Sequence, residues 1–205
     1  MHVEPKSEHP MTDADARAAT GRTWEDWFDS LDAAGGPAPG RRAITDRLMK
    51  EHGLTAWWAQ TIAVEYERAR AVHEKDGRPK GYAICVTKTI AAPAERIFDA
   101  FGDAAVLSAW MGDGAQADFK EGGAFSTSDG NSGRYTKVAR PKTLRFAWDD
   151  SDPAMASTVE LKLTPNGGKC GLVLNHERIQ TRAHADGLRA AWISAIDKLK
   201  RTLEA

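Results

Sequence analysis

The feature that most constrains this chain of 205 residues is a switch in the period of its hydrophobic pattern. From Tyr82 to Ile90 the apolar residues Ile84, Val86 and Ile90 sit on one side of an alternation, the pattern of a strand with one buried face. Strand-like stretches recur at 115–120, 123–128, 133–139, 143–149, 156–164 and 170–178. Between several of them stand Glu121-Gly122-Gly123, Asp129-Gly130-Asn131, Arg140-Pro141-Lys142 and Pro165-Asn166-Gly167-Gly168, which is hairpin turn chemistry. The helical period then returns, and Leu188, Trp192, Ala195, Leu199 and Leu203 form one apolar stripe on a helix from about Ala185 to Leu203. After the first strand, Pro93 is placed to start a helix that buries Ile97, Phe98 and Phe101, and a short helix follows from Ala104 to Met111. Strand, two helices, six strands and a long helix is an α+β order, with helices gathered on one face of an antiparallel sheet. A curved sheet whose concave side faces a long amphipathic helix leaves a cavity between the two.

The chain before Tyr82 has another texture. Residues 1–19 are charged, contain two prolines and offer little to bury, so they are expected to form a disordered leader. Residues 20–76 read as a small helical domain. Thr23 caps a first helix with Trp24, Trp27, Phe28 and Leu31 on one face, ended by the loop Gly35 to Gly40. A second helix, Arg41 to His52, carries Ile44, Leu48 and Met49 and stops at Gly53. Thr55 caps a third, with Trp58, Ile62, Glu65 and Tyr66 on a shared face, running to about His73. Residues 77–205 then form the α+β domain. Helix, Gly53-Leu54-Thr55, helix has the outline of a helix-turn-helix, but the second helix opens on Ala56-Trp57-Trp58, where a recognition helix carries polar and basic groups.

Charge and composition remove several classes of partner. A formal net charge of −1 supplies no basic field for nucleic acid or an anionic membrane. No apolar run approaches the roughly 20 residues that span a bilayer, and the first twenty residues lack a signal-peptide core. A cytoplasmic protein with no membrane insertion and no nucleic-acid partner is expected. Cys85 and Cys170 are too few for a disulfide framework and read as small, buried, reduced thiols. His2, His9, His52, His73, His176 and His184 are scattered without ligand spacing, and Gly112-Asp113-Gly114 lacks the strand–loop–helix setting of a phosphate loop. No metal or cofactor is expected.

Particular residues carry a resemblance. Ile90-Ala91-Ala92-Pro93-Ala94-Glu95-Arg96-Ile97-Phe98-Asp99-Ala100-Phe101 resembles the opening of the activator of Hsp90 ATPase homologue-like family, within the SRPBCC (START-like) superfamily. Leu107-Ser108-Ala109-Trp110, Gly122-Gly123-Ala124-Phe125, the segment Pro141 to Trp148 and the closing helix Gly187 to Leu203 are similar to its later motifs, in the same order. The resemblance implies a helix-grip fold, a curved antiparallel sheet of about seven strands around the C-terminal helix. Gly21-Arg22-Thr23-Trp24-Glu25-Asp26-Trp27 and Glu51-His52-Gly53-Leu54 resemble a small uncharacterised bacterial helical domain. Nothing resembles the separate N-terminal domain on which Hsp90 stimulation by the eukaryotic co-chaperone depends, so that activity is not carried over.

Strand alternation nominates the pocket lining. Leu144, Phe146 and Trp148 share a face, as do Val159, Leu161 and Leu163, and Leu172, Leu174 and His176. With Trp110, Phe125, Tyr135 and Trp192 they give the candidate ligand-binding set Trp110, Phe125, Tyr135, Phe146, Trp148, Leu161, Leu174, His176 and Trp192, the alternative being that these residues simply fill a core. No convincing catalytic set accompanies them, because Glu177, next to His176, points to the opposite face. The leading reading is a non-enzymatic module for a small hydrophobic or amphipathic molecule. A cyclase- or hydrolase-type enzyme using Tyr135 or His176 in the same cavity is the first alternative. A chaperone-linked or other protein-interaction module, docking through the Trp-rich helices, is the second.

Overall fold

The computed structural model describes residues 1–7, 11–149 and 155–205. The chain divides into two compact units, one of Ser7–Tyr82 with Gln180–Arg182, the other of Met1–Lys6, Ala83–Ile179 and Ala183–Ala205.

The first unit holds four helices, α1 (Asp13–Thr20), α2 (Trp24–Ala33), α3 (Arg41–His52) and α4 (Ala56–Ala69). Helix α1 falls within the stretch expected to be an unstructured leader. Its cause is local: Thr12 and Asp15 form a reciprocal capping box ahead of an alanine-rich run, and Ala16 is buried. Residues 8–10 of that stretch lie outside the described residues. The same capping box recurs between Thr23 and Asp26 at the start of α2. Gly53 ends α3 at φ +67°, a conformation that costs a glycine little. Trp27, Leu31, Ile44, Leu48, Trp58, Ile62 and Tyr66 form the core, with Trp24, Phe28 and Trp57 packed against it. Trp58 is buried and Trp57 half-buried, the Arg182 guanidinium standing 4.3 Å from its ring. These indoles are building material of the unit.

Glu67 is the charge that this packing encloses. Its side chain is 1% exposed, ion-paired with Arg41 and with Lys80 at 3.3 Å. Removing it leaves two cations facing a site from which water is excluded. Glu67→Ala should lower stability by about 3 kcal/mol, while Glu51→Ala, at the exposed pair with Arg47, should stay within about 0.5 kcal/mol of the parent. Urea unfolding of the two variants checks this, and equal losses would remove Glu67 from its central place.

The second unit is built on strands β1 (Tyr82–Ile90), β2 (Gln116–Ala117), β3 (Ala124–Ser126), β4 (Ser132–Ala139), β5 (Thr143–Trp148), β6 (Ser157–Asn166) and β7 (Lys169–Ile179). Helices α5 (Ala94–Asp99) and α6 (Ala104–Trp110) follow β1, and α7 (Arg182–Glu204) closes the chain. The sheet order is β1-β7-β6-β5-β4-β3-β2, and the pairings from β2 through to β7 are antiparallel. This is the expected helix-grip arrangement. Gly167 and Gly168 make the two-residue turn from β6 to β7 with φ of +52° and +83°, the paired positive values that suit the twist of a hairpin. A bulge between Tyr135 and Lys137 bends β4. The first two strands after α6 are shorter than their sequence pattern suggests, because Gly122 and Gly123 turn the chain early, with Gly123 N–H bonded to Lys120 C=O at 2.9 Å.

On α7 the residues Leu188, Ala191, Trp192, Ala195, Ile196, Leu199 and Leu203 are all buried. Cys170 is buried as expected, but Cys85 is exposed. The alternation of β1 explains the correction, since Ile84 and Val86 take the inward positions and leave Cys85 outside. Both thiols are free.

Candidate functional site

The inward face of the sheet is a grid set by strand register. Across β3, β4, β5 and β6 run Phe125, Gly133, Trp148 and Ser157. The adjacent rung is Tyr135, Phe146, Val159 and His176, and the next contains Leu144, Leu161 and Leu174. Alternation along each strand turns all of these inward, and all three rungs are buried. Gly133 is required by the first rung: a Cβ there would lie 2.2 Å from Ala147 O and 2.6 Å from the Phe125 ring. Its absence lets Phe125 lie across β4 and meet Tyr135, Phe146 and Trp148 at ring-centroid distances of 5.4, 5.3 and 6.2 Å.

Helix α7 completes the wall through Trp192, whose ring lies 5.3 Å from Trp148 and 6.5 Å from Phe146. Eight of the nine residues nominated from sequence thus form one wall of aromatic and aliphatic side chains. Trp110 belongs to the neighbouring α5–α6 corner, edge-on to Phe101 at 4.8 Å and donating to Ala100 C=O at 3.0 Å. All nine are buried. Around Phe101, Leu107, Met111, Phe125, Tyr135 and Phe146 the packing leaves no space for a water molecule.

Open space lies at one end of the grid. A cavity of about 510 Å³ is bounded by Trp148, Ser157, Met155, Ile179 and Leu188, with Asp129, Asn131, Asp149, His184 and the first residues of the chain among its other walls. Trp148 is the member of the nominated set that lines it. Leu188 was placed on the stripe of α7 but not among the pocket residues, and Ser157 and Ile179 escaped the sequence reading, although Ser157 is in phase with Val159, Leu161 and Leu163 on β6. A polar residue at an inward position was the available signal.

The rim is held by charge. The Met1 ammonium donates to Met111 C=O and pairs with Asp129 at 2.5 Å, while Thr127 Oγ1 and Asn131 Nδ2 also donate to that carboxylate, the latter at 2.6 Å. Burial pushes the Asp129 carboxyl up, but the ammonium and the two hydrogen bonds outweigh it and hold it below the usual carboxylate range. The chain then runs against α7, so close that a Cβ on Gly187 would lie 2.2 Å from Glu4 O.

The two groups considered as proton carriers are both committed to the core. Tyr135 donates its hydroxyl proton to Phe101 C=O at 2.5 Å, and burial raises its pKa well above the tyrosine norm. His176 is fully buried, with Trp192 Nε1 donating to its Nδ1 at 3.0 Å and Ser157 Oγ 2.7 Å from its Nε2. Burial pushes its pKa down to about 3. Its surroundings are therefore those of a satisfied interior residue. Glu177 is exposed on the opposite face, as expected. Among the described residues no group of His, Cys, Asp or Glu is placed to hold a metal ion, and no helix is long and apolar enough to cross a membrane.

The family model for activator of Hsp90 ATPase homolog 1-like proteins matches residues 91–204, more than half of the chain. The chain belongs to this family. Three solved structures illustrate the shared fold. CalU16 from Micromonospora echinospora is 24% identical, with a TM-score of 0.52 over 59% of this chain and 75% of that one. An HSP90 activator from Plasmodium falciparum, PFC0360w, is 24% identical, with a TM-score of 0.56 over 60% and 97% of the two chains. The Aha1 dimer from Colwellia psychrerythraea is 19% identical, with a TM-score of 0.55 over 60% and 96%. No curated protein matches the sequence.

The state of His176 has a consequence for acid stability. An unfolded histidine takes up a proton near pH 6.5, whereas the folded ring stays neutral down to about 3. Between these values the unfolded chain binds one more proton, so stability falls with falling pH by about 1.4 kcal/mol per unit. His176→Gln keeps an acceptor for Trp192 and a donor for Ser157 without the titration. From pH 6.5 to 5 the parent should lose about 2 kcal/mol more than this variant in urea unfolding. Equal acid losses would show that His176 is protonated in the folded state.

Proposed function

We propose that the chain binds a small amphipathic molecule in the cavity at the Trp148 end of the sheet. The observation that carries this reading is the contrast between the close packing around Phe101, Phe125, Tyr135 and Phe146 and an open space of about 510 Å³ at the Trp148 end, a volume within the usual range of ligand sites. Trp148, Ile179 and Leu188 offer apolar surface there, while Ser157, Asn131 and Asp129 offer polar groups, so one molecule meets both kinds of wall. The nominated residues Phe125, Tyr135, Phe146, Leu161, Leu174, His176 and Trp192 act in this reading as the frame that fixes Trp148 and Ser157. The free thiols of Cys85 and Cys170 accord with a reducing compartment such as the cytoplasm.

Tyr135 and His176 give the enzymatic alternative little support, because each has its polar atoms engaged inside the core. The Trp-rich helices likewise give little support to a docking role, since Trp27 and Trp58 are buried in their own unit. Likeness to an HSP90 activator at 24% identity supports a common fold.

Native mass spectrometry of the gently purified protein should show an adduct of a few hundred daltons, the size such a cavity takes. Trp148→Ala removes an aromatic wall and should weaken retention of that adduct about tenfold or more. Leu188→Trp should fill the space and abolish it. Unchanged retention in both variants, with native circular dichroism, would place the binding site elsewhere.

A further inference from the structure

Ser157 and His176 stand in the geometry of a nucleophile and its base, with Oγ and Nε2 2.7 Å apart. The third member decides which way the proton points. In a serine nucleophile the far ring nitrogen carries hydrogen and gives it to an acceptor, which leaves Nε2 free to take the hydroxyl proton. Here the far nitrogen, Nδ1, faces Trp192 Nε1 at 3.0 Å. An indole N–H only donates, so Nδ1 must be the acceptor. A neutral imidazole carries a single hydrogen, which is then on Nε2, and Nε2–H donates to Ser157 Oγ. Among the described residues no acceptor takes the hydroxyl's own hydrogen. Ser157 is only 5% exposed, and the open space that it borders is the cavity.

We propose that Ser157 is the specificity-determining residue of the cavity, held as a hydrogen-bond donor by the relay Trp192 to His176 to Ser157, and that it reads an uncharged acceptor oxygen, a carbonyl or ether, on the bound molecule. This rests on the cavity being the ligand site. Every hydrogen in the relay points toward the cavity. A hydroxyl that already accepts from one side donates more strongly on the other, because successive hydrogen bonds polarise each other. The charge around the space selects against an anion. Among the described residues Asp129 and Asp149 line it beside His2 and His184, and the Met1 ammonium is already paired with Asp129. A carboxylate or phosphate ligand would meet the Asp149 carboxylate, whereas a neutral oxygen meets a donor. A ligand without an acceptor would leave the hydroxyl buried and unpaired, which is how a site built to donate rejects an analogue that lacks the partner.

The test uses two probes of one shape, 2-acetonaphthone and 2-ethylnaphthalene, which differ in a carbonyl oxygen. Binding of each to the full-length protein is followed by the shift of the Trp148 indole resonance, and the His176 tautomer is read from two-bond proton–nitrogen couplings in the unliganded protein. The expected results are hydrogen on Nε2 and a ketone-to-hydrocarbon affinity ratio that falls about fivefold in Ser157→Ala. Trp192→Phe keeps Ser157 and His176 but releases Nδ1, so it should admit the Nδ1–H tautomer and lower the ratio as well. A purely structural role for Trp192 would weaken both probes alike. Hydrogen on Nδ1 in the parent protein, or a ratio unchanged in Ser157→Ala while both probes bind, overturns the proposal and leaves the cavity as a ligand site. Failure of both probes to bind the parent protein overturns the cavity reading and this one together.

Discussion

One helix covers the inner face of a seven-stranded sheet, and the two meet at Trp192. Its indole does two things that no smaller residue combines. The ring fills the angle between Phe146 and Trp148, and the N–H satisfies the one nitrogen of His176 that the sheet itself leaves without a partner. A histidine with an unpaired nitrogen at this depth would carry a desolvation cost comparable to a lost hydrogen bond. The helix is therefore fixed in register by a polar contact as well as by apolar area, and apolar area alone tolerates sliding. The position of α7 sets where the grid is closed and where it stays open. The cavity is what remains beyond the reach of Trp192 toward Leu188.

The inner face was legible in the sequence because a period of two is absolute. Leu144, Phe146 and Trp148 could not be turned outward without turning Thr143 and Arg145 inward. The turn at Gly167-Gly168 and the stop at Gly53 were legible for a related reason, since each needs a positive φ that few residues accept. Two kinds of feature were hidden. Helix α1 lies in a polar, charged stretch and depends on the Thr12–Asp15 cap, a short-range signal easily masked by composition. The location of open space was hidden more deeply. Alternation says which side chains face inward, but whether they touch depends on twist, on the bulge at Tyr135 and on the close approach that Gly133 permits. Those quantities place Phe125, Tyr135 and Phe146 in contact with one another and leave Trp148 at the edge of a void.

Membership of the family accounts for the order of elements, and the character of the cavity is set by single residues at the ends of strands. Ser157 is the first residue of β6, directly across from Trp148, the last residue of β5. Strand ends are where a sheet can present a polar group to a cavity without interrupting its ladder, because the side chain projects past the packed rungs. Rigid strands also hold such a group with less freedom than a loop allows. In the proposed reading, an aromatic wall on one side and a hydroxyl on the other meet an amphipathic molecule by both ends.

The same two residue types, serine and histidine within hydrogen-bond reach, serve catalysis in one setting and recognition in another. What separates the cases is the direction of the hydrogens, and that direction is set one step further out. Where a carboxylate stands behind the histidine, the chain of hydrogens runs from serine through histidine and the hydroxyl becomes a nucleophile. Where an indole stands behind it, as Trp192 does, the chain runs the other way and the hydroxyl becomes a donor. Burial reinforces this direction, since a ring that stays neutral down to about pH 3 does not store a proton taken from serine. The aromatic residue on α7 that closes the core thus also determines what chemistry the polar end of the cavity can perform.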